Sequence, residues 1–415
     1  MAKLSSSNGK KANVPKLRFP EFSEEWKASN IGEISTYIKG APLSKADISE
    51  TGTPFILYGE LYTTYKEVAT EIKRKTNCIV DKKYLSKIGD VVIPTSGETP
   101  EEIATATCVM TPNVILAGDL NIFRINDIYG RFFSYVINHK VNKDISRIAQ
   151  GKSIVHIKGE EISKIQIKYP SDKEQQKILS FIELLSLKIE KQKQLIDKLK
   201  KYKRGSLSAL FPKKIEITPQ YRFAGFTNHW EQRKLDNITD VRDGTHDSPQ
   251  YVENGHPFIT SKNVKDGYIN YEDVSCISDK DYEEINKRSK VDKNDILMGM
   301  IGTIGNIALV REIPDFAIKN VALIKDTGNV FYRYLYHCLQ SNSIAQQLGE
   351  NLDGGTQKFI ALNKIRELNI PVPTEDEQHK IGDYMEQLDS LITLHQHKYD
   401  ILLSLKNALL QQMFI

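Results

Sequence analysis

The chain contains the same sequence pattern twice, and this internal repeat constrains its fold more than any other feature. An opening block returns in the second half with its arginine, phenylalanines and tryptophan in place: Arg18/Arg222, Phe19/Phe223, Phe22/Phe226 and Trp26/Trp230. A later block, P-x-x-x-E-Q-x-x-I, also returns: Pro170/Pro373, Glu174/Glu377, Gln175/Gln378 and Ile178/Ile381. The period of about 204 residues is far longer than the roughly 20 to 50 residues of solenoids. Each copy is therefore expected to be a domain with its own core.

Length and composition are typical of a globular protein with several domains. The 415 residues are 40% hydrophobic and 27% charged. The cysteines are scattered without a C-x-x-C pair, which argues against disulfides or structural zinc and favours a reducing compartment. The first 14 residues are polar and no run reaches 18 apolar residues. We expect a cytoplasmic protein without a signal peptide or a membrane span.

The distribution of charge is more informative than its sum. The net charge of +4 is too small to identify a ligand. One basic run is compatible with either a solvated helix face or a contact with phosphate or a partner protein. Its members are Lys198, Lys200, Lys201, Lys203 and Arg204.

Each copy is expected to be a mixed domain followed by a long helix. Short β-branched and aromatic runs, such as residues 55–58 and 90–93, are separated by Gly and Pro. After Pro170 and Pro373, apolar residues instead alternate four and three apart, which is typical of a coiled-coil seam. The seam positions are Ile178, Ile182, Leu185, Ile189, Ile196 and Leu199, then Ile381, Met385, Leu388, Ile392, Tyr399 and Leu402.

The predicted fold class is therefore α+β, with two tandem pseudo-symmetric copies whose helices pair as an antiparallel coiled coil. Each copy is a globular domain followed by a helix of molecular length. The predicted segments are an N-terminal tail (1–15), a first globular domain (16–170), a central helix (171–211), a second globular domain (212–373) and a C-terminal helix (374–415).

One polar residue interrupts each seam, Gln192 in the first helix and His395 in the second, 203 positions apart. An antiparallel pair would bring them face to face, where a polar contact can fix the register of the helices at some cost in stability. A parallel pair would align them as well, so the antiparallel direction rests on the connectivity of two domain-plus-helix units. Alternatively, both are tolerated polar residues on a half-exposed stripe.

The motifs of enzymes that act on DNA bases are missing. None of the 15 prolines adjoins another, so the N-P-P-[FY] motif of amino-methyltransferases is absent. Gly299, Gly302 and Gly305 have the spacing of neither a dinucleotide loop nor a P-loop, and they predict a turn. No catalytic residue is expected.

Nuclease and metal sites are not predicted either. Asp315 with Lys319 is similar to part of a nuclease core, but Ala317 stands where the second acid is needed. No H-E-x-x-H motif occurs, and His395 and His397 cannot point the same way on a helix.

The loops instead carry the residue types that read nucleic acid. Asn and Gln suit adenine, and Lys suits guanine or phosphate. For any single residue, the alternative is ordinary turn chemistry. The candidate DNA-binding residues of the first copy are Tyr58, Glu60, Tyr62, Thr64, Lys66, Thr95, Ser96, Thr99, Lys152 and Ser153. Those of the second copy are Thr245, His246, Ser261, Lys262, Asn263, Met300, Thr303, Thr356, Gln357 and Lys358.

The chain as a whole resembles the DNA specificity subunit of type I restriction-modification systems. The resemblance rests on the duplicated halves, the R-F-x-x-F-x-x-x-W openings, both P-x-x-x-E-Q-x-x-I blocks, and residues 355–358 with Ile360. It implies two target-recognition domains, each of which reads one half of a split double-stranded DNA site. It also implies helices that hold these domains apart and dock two methyltransferase subunits, in a chain that is not itself catalytic.

The resemblance assigns the cofactors to the partners. Methyltransferase subunits would flip an adenine in each half-site and use S-adenosylmethionine, and restriction subunits that translocate DNA would use ATP and Mg. Phosphate contacts would orient both domains while the loops read the major groove, with half-sites about one turn apart. Met300 departs from the family, because the turn after the D-I-L strand often supplies an arginine there, and Thr95 lies near its counterpart. Since the loops of the two copies differ, the site is expected to be non-palindromic.

Two other functions remain as alternatives. A coiled-coil adaptor that binds proteins would explain the helices but would leave the loops without a role. A fused restriction enzyme would need methyltransferase or nuclease motifs that the sequence does not contain. A steep loss of duplex affinity with rising salt would favour a DNA-binding protein over an adaptor.

Overall fold

The computed structural model of the protein describes residues 3–4, 13–151, 153–213, 216–302, 304–352, 354 and 358–415. The chain divides into two units. Unit 1 comprises Met1–Gln192 with Lys398–Ile415, and unit 2 comprises Lys193–His397.

Unit 1 is a mixture of short strands and helices. Its strands are β1 (Lys3–Leu4), β2 (Leu17–Arg18), β3 (Lys27–Asn30), β4 (Ser35–Lys39), β5 (Thr53–Leu57), β6 (Val68–Ala69), β7 (Lys75–Thr76), β8 (Asp90–Pro94), β9 (Ser96–Gly97), β10 (Thr107–Val109), β11 (Ile115–Ala117), β12 (Leu120–Ile125), β13 (Val155–His156) and β14 (Gln166–Tyr169). Its helices are α1 (Ile31–Ile34), α2 (Pro100–Ile103), α3 (Gly130–Val136), α4 (Asn142–Ile148), α5 (Gly159–Ser163) and the first part of α6 (Asp172–Leu210). Single 3-10 or π turns lie at Lys45–Asp47, Leu61–Tyr65, Lys82–Tyr84 and Ile137–Val141.

A five-stranded sheet, in the order β4-β12-β8-β10-β6, and a three-stranded sheet, β11-β5-β7, form the frame of unit 1. Residues 91–93 of strand β8 are apolar without alternation because the larger sheet is covered on both faces. Val91 and Ile93 face a core that contains Trp26. Val92 faces a second core that contains Ile56 of the smaller sheet. Successive side chains of a strand point to opposite faces, so a continuous apolar run fits a sheet packed on both sides.

Unit 2 has the same kind of elements. Its strands are β15 (Glu231–Lys234), β16 (Val241–Asp243), β17 (Tyr251–Val252), β18 (His256–Thr260), β19 (Cys276–Ile277), β20 (Ile296–Gly299), β21 (Ile307–Leu309), β22 (Ala317–Lys319), β23 (Val321–Ile324) and β24 (Asn369–Val372). Its helices are the last part of α6, α7 (Asp279–Ser289), α8 (Tyr332–Leu339), α9 (Asn342–Glu350), α10 (Leu362–Arg366) and most of α11 (Glu375–Met413), with 3-10 turns at Leu235–Asn237 and Ser261–Asn263.

The sheets of unit 2 repeat the frame of unit 1. The order β16-β23-β20-β21 corresponds to β4-β12-β8-β10, and the parallel pair β18/β22 corresponds to β5/β11. In both units the strand directly after the repeated tryptophan also pairs antiparallel with the last strand, as β3/β14 and β15/β24, directly before a long helix. The predicted α+β duplication is confirmed.

Each long helix contains 39 residues, and the beginning of one lies with the end of the other. In unit 1, Ile178 and Ile182 of α6 share a core with Met413 of α11 and Phe414 after it. In unit 2, Ile381, Met385 and Leu388 of α11 share a core with Leu210 and Phe211 at the end of α6. Within both units this is the arrangement of an antiparallel pair, as predicted.

The two polar residues that were predicted to fix the register of the helices lie on α6 and α11. Gln192 is buried and His395 is half-buried. Their predicted role in fixing the register stays a prediction. Among the described helices, none combines the length and the apolar character that a membrane span requires.

A buried carboxylate joins each long helix to the opening block of its domain. Arg18 donates two hydrogen bonds of 2.7 Å to the two carboxylate oxygens of Glu174, and Trp26 Nε1 donates to the same carboxylate at 3.4 Å. In unit 2, Arg222 donates to Glu377 at 2.8 and 2.6 Å, and Trp230 Nε1 donates at 3.0 Å. The residues that reveal the repeat in the sequence are therefore those that fasten each domain to its helix.

The neighbouring glutamine of each P-x-x-x-E-Q-x-x-I block makes a second attachment. Gln175 donates from Nε2 to the carbonyl of Pro170 at 2.9 Å and accepts from the amide of Tyr129, just before α3, at 3.0 Å. Gln378 does the same with Pro373 and with Phe331, just before α8. Both side chains are buried, so each glutamine ties the start of the long helix to another helix of the domain.

We predict that Glu377→Gln loosens unit 2. The substitution leaves the half-buried Arg222 without its counter-ion, which costs about 2 kcal/mol. Amide hydrogens of residues 221–230 and of α8 should then exchange roughly 30-fold faster in hydrogen–deuterium exchange. Glu375→Gln, in the same helical turn but exposed, is the matched control and should change exchange by less than about fivefold. Equal exchange in both variants would show that the ion pair does not stabilise the unit.

His337 of α8 is a buried imidazole without hydrogen bonds. Its side chain is 0% exposed, and neither ring nitrogen has a hydrogen-bond partner among the described residues. The nearest carboxylate oxygen, of Asp389, is 4.0 Å from Nδ1. Burial lowers the pKa of His337 well below its usual value, and Lys203, Arg311 and Arg333 lower it further. The folded protein therefore keeps this ring neutral.

This neutral ring predicts a loss of stability in mild acid. Below a pH of about 6.5 the unfolded chain binds a proton at His337 that the folded chain does not. The free energy of unfolding of unit 2 should therefore fall by about 1.4 kcal/mol for each pH unit below 6.5 through this group. The free energy of unfolding is measured by urea unfolding at pH 7.5, 6.5 and 5.5. In His337→Leu, the part of its pH dependence that comes from this histidine should disappear. In His229→Leu, at an exposed position, the pH dependence should stay the same. An unchanged slope in His337→Leu would contradict the assignment.

Candidate nucleic-acid interface

The predicted loops of unit 1 meet at one edge of its sheets. The end of β4, the start of β12 and the end of β8 are adjacent, since Lys39 pairs with Asn121 and Pro94 pairs with Leu120. The ends of β5 and β11 are adjacent because these strands are parallel. We call the segments that follow β4, β5, β8 and β11 the loop edge of unit 1.

Unit 2 has an equivalent loop edge, formed by the segments that follow β16, β18, β20 and β22. Asp243 pairs with Ala322, and Gly299 pairs with Val321, so the ends of β16 and β20 flank the start of β23. Thr260 pairs with Lys319 at the ends of the parallel strands β18 and β22. The structure thus brings the predicted loops of each copy together.

The segment after β5 is only partly available to a ligand. Thr64 and Lys66 are exposed, whereas Tyr58 and Tyr62 are half-buried. Burial raises the pKa of the Tyr62 hydroxyl, and the charges of Glu102 and Glu98 add to the shift. Glu60 is committed within the unit, because it accepts from the amide of Leu57 at 3.0 Å and forms an ion pair with Arg74 at 3.1 Å.

The segment after β8 is mostly structural. Ser96 is buried and donates to Asp119 at 2.8 Å. Thr99 is the N-cap of α2, where its hydroxyl accepts from the amide of Glu102 at 3.3 Å. Thr95 is half-buried, and its carbonyl accepts from Ile157. The placement of Glu60, Ser96 and Thr99 does not support their predicted contacts with bases, because backbone amides and neighbouring side chains occupy their polar atoms.

In unit 2, His246 is an exposed predicted residue with two defined side-chain partners. Its ring lies between Asn320 Oδ1, 2.7 Å from Nδ1, and Asp243 Oδ2, 2.8 Å from Nε2, and its side chain is 62% exposed. Thr245 is half-buried and its hydroxyl accepts from the amide of Asp247 at 3.1 Å. These contacts hold the histidine in place at the loop edge.

Three predicted residues of unit 2 belong to its interior. Ser261 is buried and accepts from the amide of Met300 at 3.1 Å. Asn263 is 2% exposed and caps the 3-10 turn by accepting from the amide of Thr260 at 3.1 Å. Met300 is 7% exposed and packs in the core. Base contacts by these three side chains are not supported, because burial removes them from a groove-facing surface.

The remaining predicted residues are exposed or undescribed. Ser153, Lys262 and Lys358 are exposed, and Lys262 Nζ donates to the carbonyl of Asp273 at 3.2 Å. The predicted residues outside the described part of the chain are Lys152, Thr303, Thr356 and Gln357. DNA contacts by all of these residues stay predictions.

A family model described as the type I restriction modification DNA specificity domain matches the sequence twice, over residues 23–201 and 227–403. The chain belongs to this family. Each match spans one globular domain and most of the long helix that follows it, so the duplication is a duplication of this specificity domain. The adaptor alternative is therefore wrong.

Named specificity subunits are similar over much or nearly all of the chain. The MjaVIII type I restriction enzyme specificity subunit of Methanocaldococcus jannaschii is 24% identical over 400 residues, which cover 93% of this chain and 91% of that protein. The EcoBI specificity subunit of Escherichia coli is 25% identical and covers 63% of this chain and 59% of its own length. The crystal structure of the type I restriction-modification S subunit from M. genitalium has the same fold, with a TM-score of 0.60, 17% identity, and coverage of 97% of this chain and 99% of that chain.

As a type I specificity subunit with two DNA-recognition domains, the chain is not an enzyme. The residues that were similar to a nuclease core have separate roles: Asp315 contacts His256 at 2.6 Å, and Lys319 Nζ donates to Ser248 at 2.6 Å. Within the described ranges, His, Cys, Asp and Glu form no group that could hold a metal ion.

Sequence reasoning did not place Lys319 or Asn320 at the loop edge of unit 2, and it considered Lys319 only beside Asp315. Both lie at the turn between β22 and β23, and Asn320 has a left-handed backbone with φ 54°. The signal available in the sequence was an Asn between two apolar strands, since Asn tolerates this conformation. Their proximity to His246 depends on strand pairing, which the sequence pattern does not reveal.

Proposed function

We propose that this specificity subunit reads a split, non-palindromic DNA site, with the loop edge of each unit on one half-site. The observation that carries the proposal is that the two units share one frame but differ at their loop edges. The sheet order and the Arg–Glu–Trp attachment are the same in both. Loops on a shared scaffold are where binding specificity changes without loss of the fold.

The two loop edges differ in the hydrogen-bond donors and acceptors that they could present to DNA bases. Unit 1 offers Thr64 and Lys66 after β5, whereas unit 2 offers His246 after β16 and Lys319 as the last residue of β22. Lysine suits guanine and phosphate, and hydroxyls suit several bases. Two different sets of donors and acceptors favour two different half-sites.

The partners and cofactors follow from membership of the family. We expect the long helices to dock two adenine-N6 methyltransferase subunits, with restriction subunits joining for cleavage. S-adenosylmethionine would be bound by the methyltransferase, and ATP and Mg by the restriction subunit, so this chain would need no cofactor. Because the substrate is the cell's own DNA, such a complex would work in the cytoplasm.

The test is methylome sequencing of a methylation-deficient host that expresses the chain with and without its cognate methyltransferase. A split adenine motif should appear only when both proteins are present. No motif, in cells where a pull-down shows the complex to be assembled, would contradict the proposal.

The structure defines how to assign each half-site. Exchanging residues 231–372, from the start of β15 to the end of β24, for the same segment of a relative should change one half-site and leave the other intact. The matched exchange is residues 27–169, from β3 to β14, and it should change the opposite half-site. Both exchanges keep Arg18, Glu174, Arg222 and Glu377, so the attachments to the helices remain. If one exchange alters both half-sites, the assignment of one unit to one half-site is wrong.

A further inference from the structure

One backbone motif recurs at both loop edges with unlike side chains. In unit 1, Ala41 bridges to Ala117 in parallel, the amide of Ala41 donates to Leu116, and the amide of Gly118 donates back to Ala41 at 2.8 Å. In unit 2, Thr245 bridges to Lys319, the amide of Thr245 donates to Ile318, and the amide of Asn320 donates back to Thr245 at 3.3 Å. The pairs Ala41/Thr245, Ala117/Lys319 and Gly118/Asn320 are therefore structural equivalents.

The side chains at these equivalent positions differ in chemistry. In unit 1 both alanines are fully buried, and the left-handed position is a glycine, Gly118, with φ 78°. In unit 2 the left-handed position is Asn320, with φ 54°. Asn adopts this conformation more readily than most residues with a side chain. Unit 2 thus places a polar side chain where the shared frame needs none.

Lys319 is half-buried at the end of β22, and no carboxylate of the described residues neutralises its ammonium group. Its described contact is the neutral hydroxyl of Ser248, 2.6 Å from Nζ, and no ion pair joins it to a carboxylate among the described residues. Lys325, at the other end of the adjoining strand, is in contrast bound to Asp292 at 2.6 Å and Asp295 at 2.5 Å. Lys319 therefore keeps its charge available for an anionic or electron-rich ligand.

Hydrogen bonds to buried Ser261 and to His246 hold the turn that carries Lys319. Ser261 donates to the carbonyl of Asn320 at 2.5 Å and accepts from the amides of Met300 and Ile301. His246 contacts the Asn320 side chain from the solvent side at 2.7 Å. These bonds fix the backbone of the turn, and the contact of Nζ with Ser248 restrains the flexible lysine side chain before a ligand binds, which lowers the entropy lost on binding.

We infer that Lys319 is a specificity-determining residue of the unit 2 half-site, where it donates to the N7 and O6 acceptors of a guanine in the major groove. This inference rests on the proposed function and specifies one of its contacts. His246 and Asn320 act as positioning residues that hold the turn. The equivalent Ala117 gives unit 1 no such donor, so the guanine contact is particular to unit 2.

The test uses the purified complex of the full chain with its cognate methyltransferase, S-adenosylmethionine and a library of split sites degenerate in the unit 2 half. Lys319→Met keeps the length of the side chain but removes its charge. It should lower the preference for guanine at one position of that half-site by at least about fivefold, the lower end of what one such contact contributes. The other positions, and the whole unit 1 half-site, should be read as in the unaltered protein.

Two further variants control the result. Lys293→Met removes an exposed lysine near the start of β20, at the end of that strand away from the loop edge, and should leave every position unchanged. Lys319→Arg should keep the guanine preference, since arginine donates to the same acceptors. If Lys319→Met abolishes methylation altogether, the result of Lys319→Arg decides between the outcomes. The inference is supported if Lys319→Arg methylates DNA and keeps the preference for guanine. It is overturned if Lys319→Arg methylates DNA without that preference.

A uniform loss of methylation rate across all sequences in Lys319→Met would also overturn the inference, because it is the behaviour of a phosphate contact. A unit 2 half-site that contains no guanine would do the same. Both results leave the split motif of the unaltered protein in place, so they are distinguishable from failure of the proposed function, in which that motif is absent.

Discussion

Each domain depends on one buried carboxylate in the first turn of the long helix that follows it. Glu174 and Glu377 are almost fully buried, and a buried charge is tolerated only when it is paired and hydrogen-bonded. Each receives two guanidinium hydrogen bonds and one indole hydrogen bond from the opening block of its domain. Its place near a helix N-terminus stabilises the charge further. The strand after the repeated tryptophan, the last strand and the long helix of each domain are thereby fixed around a single group.

Because of this attachment, the residues that hold the frame and the residues of the loop edges are under different constraints. The residues that hold the frame must stay the same in both copies, since an arginine or a glutamate left alone would be a buried unpaired charge. The loop edges carry less of this requirement, because strand pairing holds their backbones and many of their side chains are exposed or cap local turns, although Ser261 and Met300 are buried. The bridge of Thr245 with Lys319, beside that of Ala41 with Ala117, shows how far side chains can diverge on one backbone. A specificity protein needs this combination of a fixed frame and replaceable contacts.

The sequence predicted the duplication, the α+β class and the family, because repeated blocks and seam periodicity can be read directly along the chain. The connectivity of the two domain-plus-helix copies predicted the antiparallel helices. Residue type alone did not predict which candidate side chains are buried or have their polar atoms already hydrogen-bonded. Ser96, Thr99 and Asn263 have the residue types that read bases, but the same types cap helices and turns, and only tertiary contacts decide between the two roles. Met300 was placed on a loop although the core buries it. Lys319 was weighed only beside Asp315, since its closeness to His246 depends on a strand pairing that no local pattern encodes.

The two units also differ in whether they are formed by one segment of the chain or by two. Unit 2 is one continuous stretch, Lys193–His397, whereas unit 1 combines Met1–Gln192 with Lys398–Ile415. Leu410, Met413 and Phe414 lie in the core of unit 1, with Phe414 5.3 Å from Phe132 between ring centroids. During synthesis, every residue of unit 2 leaves the ribosome before these three. Unit 1 is therefore the first unit to begin synthesis and the last to be completed. Until its last residues are made, part of its apolar core is exposed, a state in which chains are prone to aggregate.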